Sequence, residues 1–320
     1  MLEDSIKSFP KQFAFEPEIK NAEKIRQFES LVIGGMGGSG LIAGILRALK
    51  PELDIAAHHD YGLPAYLKDA DKRLLIAISY SGNTEETISF FNETIAKNLN
   101  IAVIAVGGKL LQLAQEKGIP FVQLPDTGIQ PRMSIGFMLR AVLKLTGESR
   151  LYKESGKLAN TLKPGEWETK GKELADTIFK HIPIIYSSRR NIALAYNWKI
   201  KFNETGKAPA FYNTFPELNH NEMTGFDVKD STKELSDKMF FIFLKDKDDH
   251  PKITKRMEVL ERLYRDRKLS VAVVSLEGNS KMEKIFNSLI LADWTAYYTA
   301  KRYNVEPEQV PMVEEFKKLL

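Results

Sequence analysis

The chain has 320 residues, 43% of them hydrophobic and 10% aromatic, enough for two domains of ordinary size with real cores. Its 46 Lys and Arg against 42 Asp and Glu leave a net charge of +4 with the signs interleaved, which argues against nucleic acid as a partner. The absence of cysteine excludes disulfides, thiolate metal sites and a Cys nucleophile, and suits a reducing compartment.

The first residues, Met1-Leu2-Glu3-Asp4-Ser5, are acidic and lack the apolar core of a secretory signal, and no apolar run approaches the ~18 residues of a membrane span. The expectation is a soluble cytoplasmic protein without a membrane partner. Residues 31–35, 74–79, 101–106 and 120–124 read as nearly continuous apolar strands, the pattern of a sheet covered on both faces. Helical patterns fall between them at 39–49, 84–98, 109–117 and 133–146. Strand alternating with helix predicts a parallel sheet flanked by helices. A polar stretch from Gly147 to Gly165 follows, and the domain boundary is placed there, giving domains 1–150 and 151–320. In the second half, 182–188, 239–244 and 271–276 read as strands, with helices at 191–205, 251–267, 280–302 and 308–319. The fold class is α/β, two related doubly wound domains.

Two strand-to-helix turns carry the chemistry. The first is Leu31-Val32-Ile33-Gly34-Gly35-Met36-Gly37-Gly38-Ser39-Gly40; the second is Ile78-Ser79-Tyr80-Ser81-Gly82-Asn83-Thr84. A helix N-terminus leaves N–H groups unpaired and its dipole favours an anion. Glycine lets backbone approach a ligand closely. Ser39, Ser79, Ser81 and Thr84 add neutral donors. Side by side, the turns form a phosphate site. Read singly, Ser79 and Thr84 are helix caps. Gly35-x-Gly37-x-x-Gly40 matches a dinucleotide fingerprint, but the next strand, near Ile55–His59, ends in two histidines before Asp60, and no Lys-Ser or Lys-Thr makes a Walker loop. Ser187-Ser188 occupies the matching position in the second half without the glycines, so that half keeps the architecture and not the anion site.

The five histidines show no metal-ligand spacing. His58 and His59 follow a strand and read either as lining a cleft or as surface or core residues, and His181 and His250, in polar, loop-like surroundings, read as solvated. His220 lies in the polar run Pro216-Glu217-Leu218-Asn219-His220-Asn221-Glu222. Glu204 ends a helix, the unfavourable end for a carboxylate, and reads either as functional or as a solvated last-turn residue. Arg132 opens a helix after Pro131 and reads either as pointing into the cleft of the two turns or as facing solvent.

The set Gly34–Ser39, Ser79–Thr87, Gln130-Pro131-Arg132, Asn203-Glu204 and Glu217–Glu222 resembles the bifunctional phosphoglucose/phosphomannose isomerase family, from about residue 20 to the C-terminus. The resemblance implies two flavodoxin-like sugar isomerase (SIS) domains and a homodimer with active sites shared between subunits. It also implies reversible conversion of glucose 6-phosphate or mannose 6-phosphate to fructose 6-phosphate, without metal or cofactor. By matching motif, Gly38, Ser39, Ser79, Ser81 and Thr84 would hold the phosphate. Glu204 would move the proton between C1 and C2, Arg132 would stabilise the enediolate, and His220, from the neighbouring subunit, would open the ring. Lys317, or Lys318 beside it, would lie near the ring oxygen. A threonine that relatives carry before the last helix has no counterpart in 306–310, which ties the expectation more closely to glucose 6-phosphate. The chemistry suits the residues: one base can serve adjacent carbons, and a guanidinium stays charged beside a developing oxyanion. A non-catalytic phosphosugar-binding regulator is the alternative, and it would need no base.

Overall fold

Short Val-, Ile- and Leu-rich runs become strands here because helices cover both sides of each sheet. The computed structural model describes residues 1–319 and divides into two compact units, Ser8–Leu162 and Met1–Lys7 with the chain from Lys163 on.

In the first unit, β1 (Ser30–Gly34), β2 (Ile55–His58), β3 (Arg73–Ile78), β4 (Ile101–Ala105) and β5 (Phe121–Gln123) form one parallel sheet in the order β2-β1-β3-β4-β5. Every residue of β1 and β4 is buried. Helices α2 (Gly37–Leu49) and α5 (Ile135–Leu145) pack together, as do α3 (Glu85–Ala96) and α4 (Gly108–Glu116). Phe90 and Phe91 of α3 are fully buried among Val32, Leu75 and Val103, and each such ring contributes about 1.5–3 kcal/mol.

Most of the polar stretch expected to hold the boundary is a helix, α6 (Ser149–Thr161), which buries Leu151, Ser155 and Leu158. Buried Arg140 ties it to the unit, donating to the Tyr152 carbonyl (2.9 Å), Ser155 Oγ (3.1 Å) and Glu16 (2.9 Å). The division between units therefore falls at Leu162/Lys163 rather than at 150/151, and helix α1 (Leu2–Ser8) places its first residues with the second unit.

In the second unit, β6 (Ile182–Ser188), β7 (Phe211–Phe215), β8 (Met239–Lys245) and β9 (Ser270–Ser275) form a parallel sheet in the order β7-β6-β8-β9. On one side α7 (Pro164–Ile178) and α8 (Ile192–Glu204) pack on the long α12 (Lys281–Arg302). A Cβ at Gly171 of α7 would lie 2.5 Å from that of Trp294, so glycine sets this close approach. Buried Lys201 and Asp293 pair at 2.6 Å between α8 and α12. The core over the sheet holds Tyr186, Phe215, Phe241, Phe243 and Tyr264, with α11 (Pro251–Asp266) above it. Short helices α9 (Glu222–Gly225) and α10 (Lys233–Ser236) and the last helix, α13 (Pro311–Leu319), complete the unit. Strand β7 and helix α7 are absent from the sequence reading. Among the described residues no helix is long and apolar enough to cross a membrane.

Candidate functional site

In the first sheet the chain leaves β1 toward β2 on one side and resumes at β3 on the other. The crevice beyond the C-terminal ends of β1 and β3 is thus the switch point where open α/β sheets take ligands. Both Gly/Ser/Thr turns lie at that point. The Tyr80 N–H donates to Ser39 Oγ (3.3 Å), which joins the turns directly. Ser79 Oγ accepts the Gly82 N–H (3.0 Å) and lies 2.8 Å from Thr84 Oγ1. Ser39 and Ser79 are buried, Thr84 is half-buried, and exposed Ser81 accepts the Asn83 N–H at 3.3 Å. Met36 and Thr84 are the N-caps of α2 and α3, and neither side chain bonds its helix. The hydroxyl of Thr84 therefore faces Ser79 and not the first turn of α3. Two helix N-termini with their positive ends at one crevice suit an anion.

The glycines serve the meeting of backbones. A Cβ at Gly35 would lie 2.7 Å from the Ile78 carbonyl oxygen. One at Gly38 would lie 2.9 Å from the Pro131 oxygen and 3.0 Å from Arg132 Cα. Gly38 thus brings the start of α2 against the 3₁₀ turn Pro131–Met133, and Arg132 in that turn is 2% exposed, contrary to a solvent-facing reading. At Gly82, with φ +74°, left-handed backbone and space both demand glycine: a Cβ there would sit 1.8 Å from the Gly107 oxygen. The second turn is held further by the Leu110 N–H on the Gly82 oxygen (2.8 Å), the Val106 N–H on the Tyr80 oxygen (3.0 Å) and the Lys109 N–H on Asn83 Oδ1 (3.0 Å). His59 braces the first turn, with Nδ1 2.7 Å from the Gly35 oxygen, and His58 Nε2 lies 2.8 Å from the Gly62 oxygen.

In the second unit, half-buried Glu204 is the last residue of α8. The dipole disfavours a carboxylate there, but the Lys207 ammonium covers the helix end, donating to the Glu204 carbonyl at 2.5 Å and also to the Gln309 carbonyl. The segment leading into α13 is thereby tied to the end of α8. Lys317 of α13 is exposed and pairs with Glu314 at 2.8 Å, and neighbouring Lys318 is exposed too. Met312, Val313, Phe316 and Leu319 of the same helix are exposed, by 81%, 46%, 60% and 80%.

His220 is exposed and follows the 3₁₀ turn Glu217–Asn219 after β7. Topology separates it from Glu204. Helix α8 returns from the end of β6 to the start of β7, so Glu204 lies near the N-terminal edge of the sheet and His220 beyond its C-terminal edge. The five residues of β7 alone span about 16 Å. The structure thus brings together Gly38, Ser39, Ser79, Thr84 and the turn of Arg132, and Glu204 with the approach to α13. It does not bring Glu204 and His220 of one chain to one place.

The equivalent crevice of the second sheet, between β6 and β8, is filled by the chain itself. Ser188 Oγ donates to Asp249 (2.6 Å), Asn191 donates to Asp246 (3.3 Å), and buried Lys284 donates to Asp246 (2.7 Å) and Asp248 (2.5 Å). Burial pushes the Asp246 carboxyl up, but Lys284, the Asp248 N–H and Asn191 outweigh it and hold it below its ordinary range. Burial above all pushes the Asp249 carboxyl up. Carboxylates lining this crevice disfavour an anion. Nothing in the sequence singles out Asp246 and Asp249, and only burial sets them apart from exposed Lys247 and Asp248. Half-buried His181 lies edge-on to Phe240 and so differs from the solvated reading, whereas His250 is exposed as expected and caps α11 by accepting the Lys252 N–H. Among the described residues no group of three or more His, Asp or Glu could hold a metal ion.

Two parallel sheets of this topology, each flanked by helices, place the chain among proteins built from paired SIS domains. Its fold is similar to that of tagatose-6-phosphate ketose/aldose isomerase from Escherichia coli, with a TM-score of 0.69 at 16% identity over 96% of this chain and 94% of that one. Residues 168–320 match the family described as bacterial phospho-glucose isomerase C-terminal SIS domain. Over 98% of its length the chain is 33% identical to a bifunctional phosphoglucose/phosphomannose isomerase of Aquifex aeolicus, covering 97% of that protein. It is 35% identical to the protein of the same name from Thermoplasma volcanium, over 92% of each. The chain belongs to the bifunctional phosphoglucose/phosphomannose isomerase family.

Proposed function

We propose that this chain reversibly isomerises glucose 6-phosphate, and also mannose 6-phosphate, to fructose 6-phosphate by proton transfer through an enediol. The observation that carries the reading is the joined pair of turns at the β1/β3 switch point, where two helix N-termini and the hydroxyls of Ser39, Ser79 and Thr84 converge. Ser81 and the backbone at Gly38 complete the phosphate seat. In this reading Glu204 takes the proton from one of C1 and C2 and returns it to the other, and Arg132 stabilises the enediolate oxygen. Lys317 stands near the ring oxygen, and His220 opens the ring. The phosphate supplies binding energy far from the reacting carbons.

The reading includes a homodimer with shared sites. Glu204 and His220 lie beyond opposite edges of one sheet, so a site holding both takes His220 from a second copy of the chain. The exposed apolar face of α13 is the surface such an assembly would cover. The enzyme so described is cytoplasmic, and neither nucleic acid nor a membrane is its partner. The test is a coupled assay with fructose 6-phosphate that scores glucose 6-phosphate and mannose 6-phosphate separately, for the wild type and Glu204→Gln. Both aldoses should form, and the substitution should lower the rate by about 10²-fold or more. A wild type that forms neither aldose refutes the activity, and a variant that keeps its turnover removes Glu204 from the mechanism.

A further inference from the structure

His220 is exposed, just after the 3₁₀ turn Glu217–Asn219, so its position depends on how the chain on either side is held. Two residues before it, Leu218 is fully buried against the aromatic core. Two residues after it, Glu222 turns a half-buried carboxylate inward. Its Oε1 accepts the phenol O–H of Tyr186 (2.5 Å), and its Oε2 accepts the amide of Asn213. Those donors come from adjacent strands, β6 and β7. Tyr186 is fully buried, with its ring centroid 5.5 Å from that of Phe241 and 5.6 Å from that of Phe243. Asn213 is oriented in turn by the Thr214 N–H, which donates to its Oδ1 at 2.8 Å. Asn221 closes the loop locally: its Oδ1 accepts the Glu222 N–H (2.6 Å), and its amide donates to Glu217 Oε1 (2.9 Å).

We infer that Glu222 is a positioning residue, whose carboxylate straps the His220 segment to β6 and β7 and so sets the imidazole for ring opening. The inference rests on the assignment of His220 to that step. A carboxylate suits the place because both oxygens face donors. An amide could keep both contacts only in weakened form, its oxygen accepting from Asn213 and its NH2 donating to the phenol oxygen of Tyr186, without the carboxylate's charge and with the phenol proton turned away. Hydrogen bonds to an ionised acceptor are the stronger kind, and the strap has two.

The test separates ring opening from proton transfer. A 5-deoxy analogue of fructose 6-phosphate lacks the hydroxyl that closes the furanose ring, so it reaches the base without ring opening. For wild type, Glu222→Gln, Tyr186→Phe and His220→Ala, kcat/KM is measured on fructose 6-phosphate, and exchange of the C1 proton with deuterated solvent is measured on the analogue. Glu222→Gln should lose about 10- to 10²-fold on the cyclic substrate, the scale of a small misplacement of a reacting group, and keep exchange on the analogue within about 3-fold. Tyr186→Phe, which removes one of the two donors, should show the same split to a smaller degree and serves as the reporter should Glu222→Gln fail to fold. A split in His220→Ala without one in the two strap variants overturns the role of Glu222 and leaves His220 standing. Equal losses on both substrates in the strap variants reduce Glu222 to a structural residue and overturn the inference too. No split in His220→Ala removes His220 from ring opening, and the inference falls with it.

Discussion

Gly38 is where the proposed phosphate seat and Arg132 meet, and Gly38→Ala tests whether that contact matters. The new methyl would stand 2.9 Å from the Pro131 oxygen, 3.0 Å from Arg132 Cα and 3.1 Å from its nitrogen. Carbon contacts in a packed interior settle near ~3.5 Å or beyond, so about half an ångström must be found. All three neighbours are backbone, and no flexible side chain can swing aside. Either the first turn of α2 or the turn Pro131–Met133 has to move. Overpacking of this kind costs about 1–3 kcal/mol. At about 2–4 °C per kcal/mol for a unit of this size, the melting temperature should fall by roughly 2 to 12 °C. Since an ångström of misplacement can cost 10²-fold in rate, half of one at Arg132 should cost about 10-fold in kcat, with KM for the phosphosugar raised as well. Thermal unfolding and steady-state kinetics on one preparation check both numbers. A variant that melts lower but keeps kcat and KM would show that the displacement never reaches Arg132. A variant with unchanged melting would refute the close approach itself.

In the seat, Ser79→Ala removes the hydroxyl shared by the Gly82 N–H and Thr84. KM for fructose 6-phosphate should rise about 10- to 10²-fold, as expected for a lost hydrogen bond to a charged group, with kcat changed less. Lys284→Met leaves Asp246 buried without its ammonium and should cost about 3–5 kcal/mol at neutral pH by chemical denaturation. The sign with pH follows from Asp246. Its folded pKa is depressed, so the wild type holds that stability above the ordinary aspartate range and loses it as pH falls through the depressed value. The variant's unpaired carboxylate is relieved by protonation, so the gap between the two proteins should narrow from about pH 7 toward pH 4, and a gap independent of pH refutes the account. Refolding an equimolar mixture of Glu204→Gln and His220→Ala chains should restore about a quarter of the wild-type rate, because half the dimers are mixed and each of those holds one intact site. No recovery over the separate variants refutes a shared site.

Most of the fold was legible because buried parallel strands are written as apolar runs. Strand β7, Phe211-Tyr212-Asn213-Thr214-Phe215, escapes that signal because it is an edge strand, with Phe211 and Tyr212 exposed and two polar residues inside the run. Helices α6 and α7 are mostly polar and bury only a narrow line of residues, among them Leu151, Leu158, Gly171 and Ala175. Their attachment depends on distant partners such as Arg140 and Trp294, which no local pattern announces. In the site, the two turns are local motifs and could be read directly. What Gly38 does is not local, since its neighbour Arg132 is far along the chain. Nor is the strap at Glu222, whose donors sit on β6 and β7. The buried Lys284 set was the least visible, because charged residues in a loop ordinarily face solvent.

The second turn is pinned from behind at three points: Leu110 to Gly82, Val106 to Tyr80, and Lys109 to Asn83. All three are bonds within the protein that need no anion to form, so the proposed seat is preorganised and the loop would have little entropy left to lose when a phosphate arrives. The attraction of the two helix ends for the phosphate is then not consumed in ordering the protein. It remains for fixing the other end of the sugar, several bonds away, where a freely rotating chain would otherwise present its carbons in many poses.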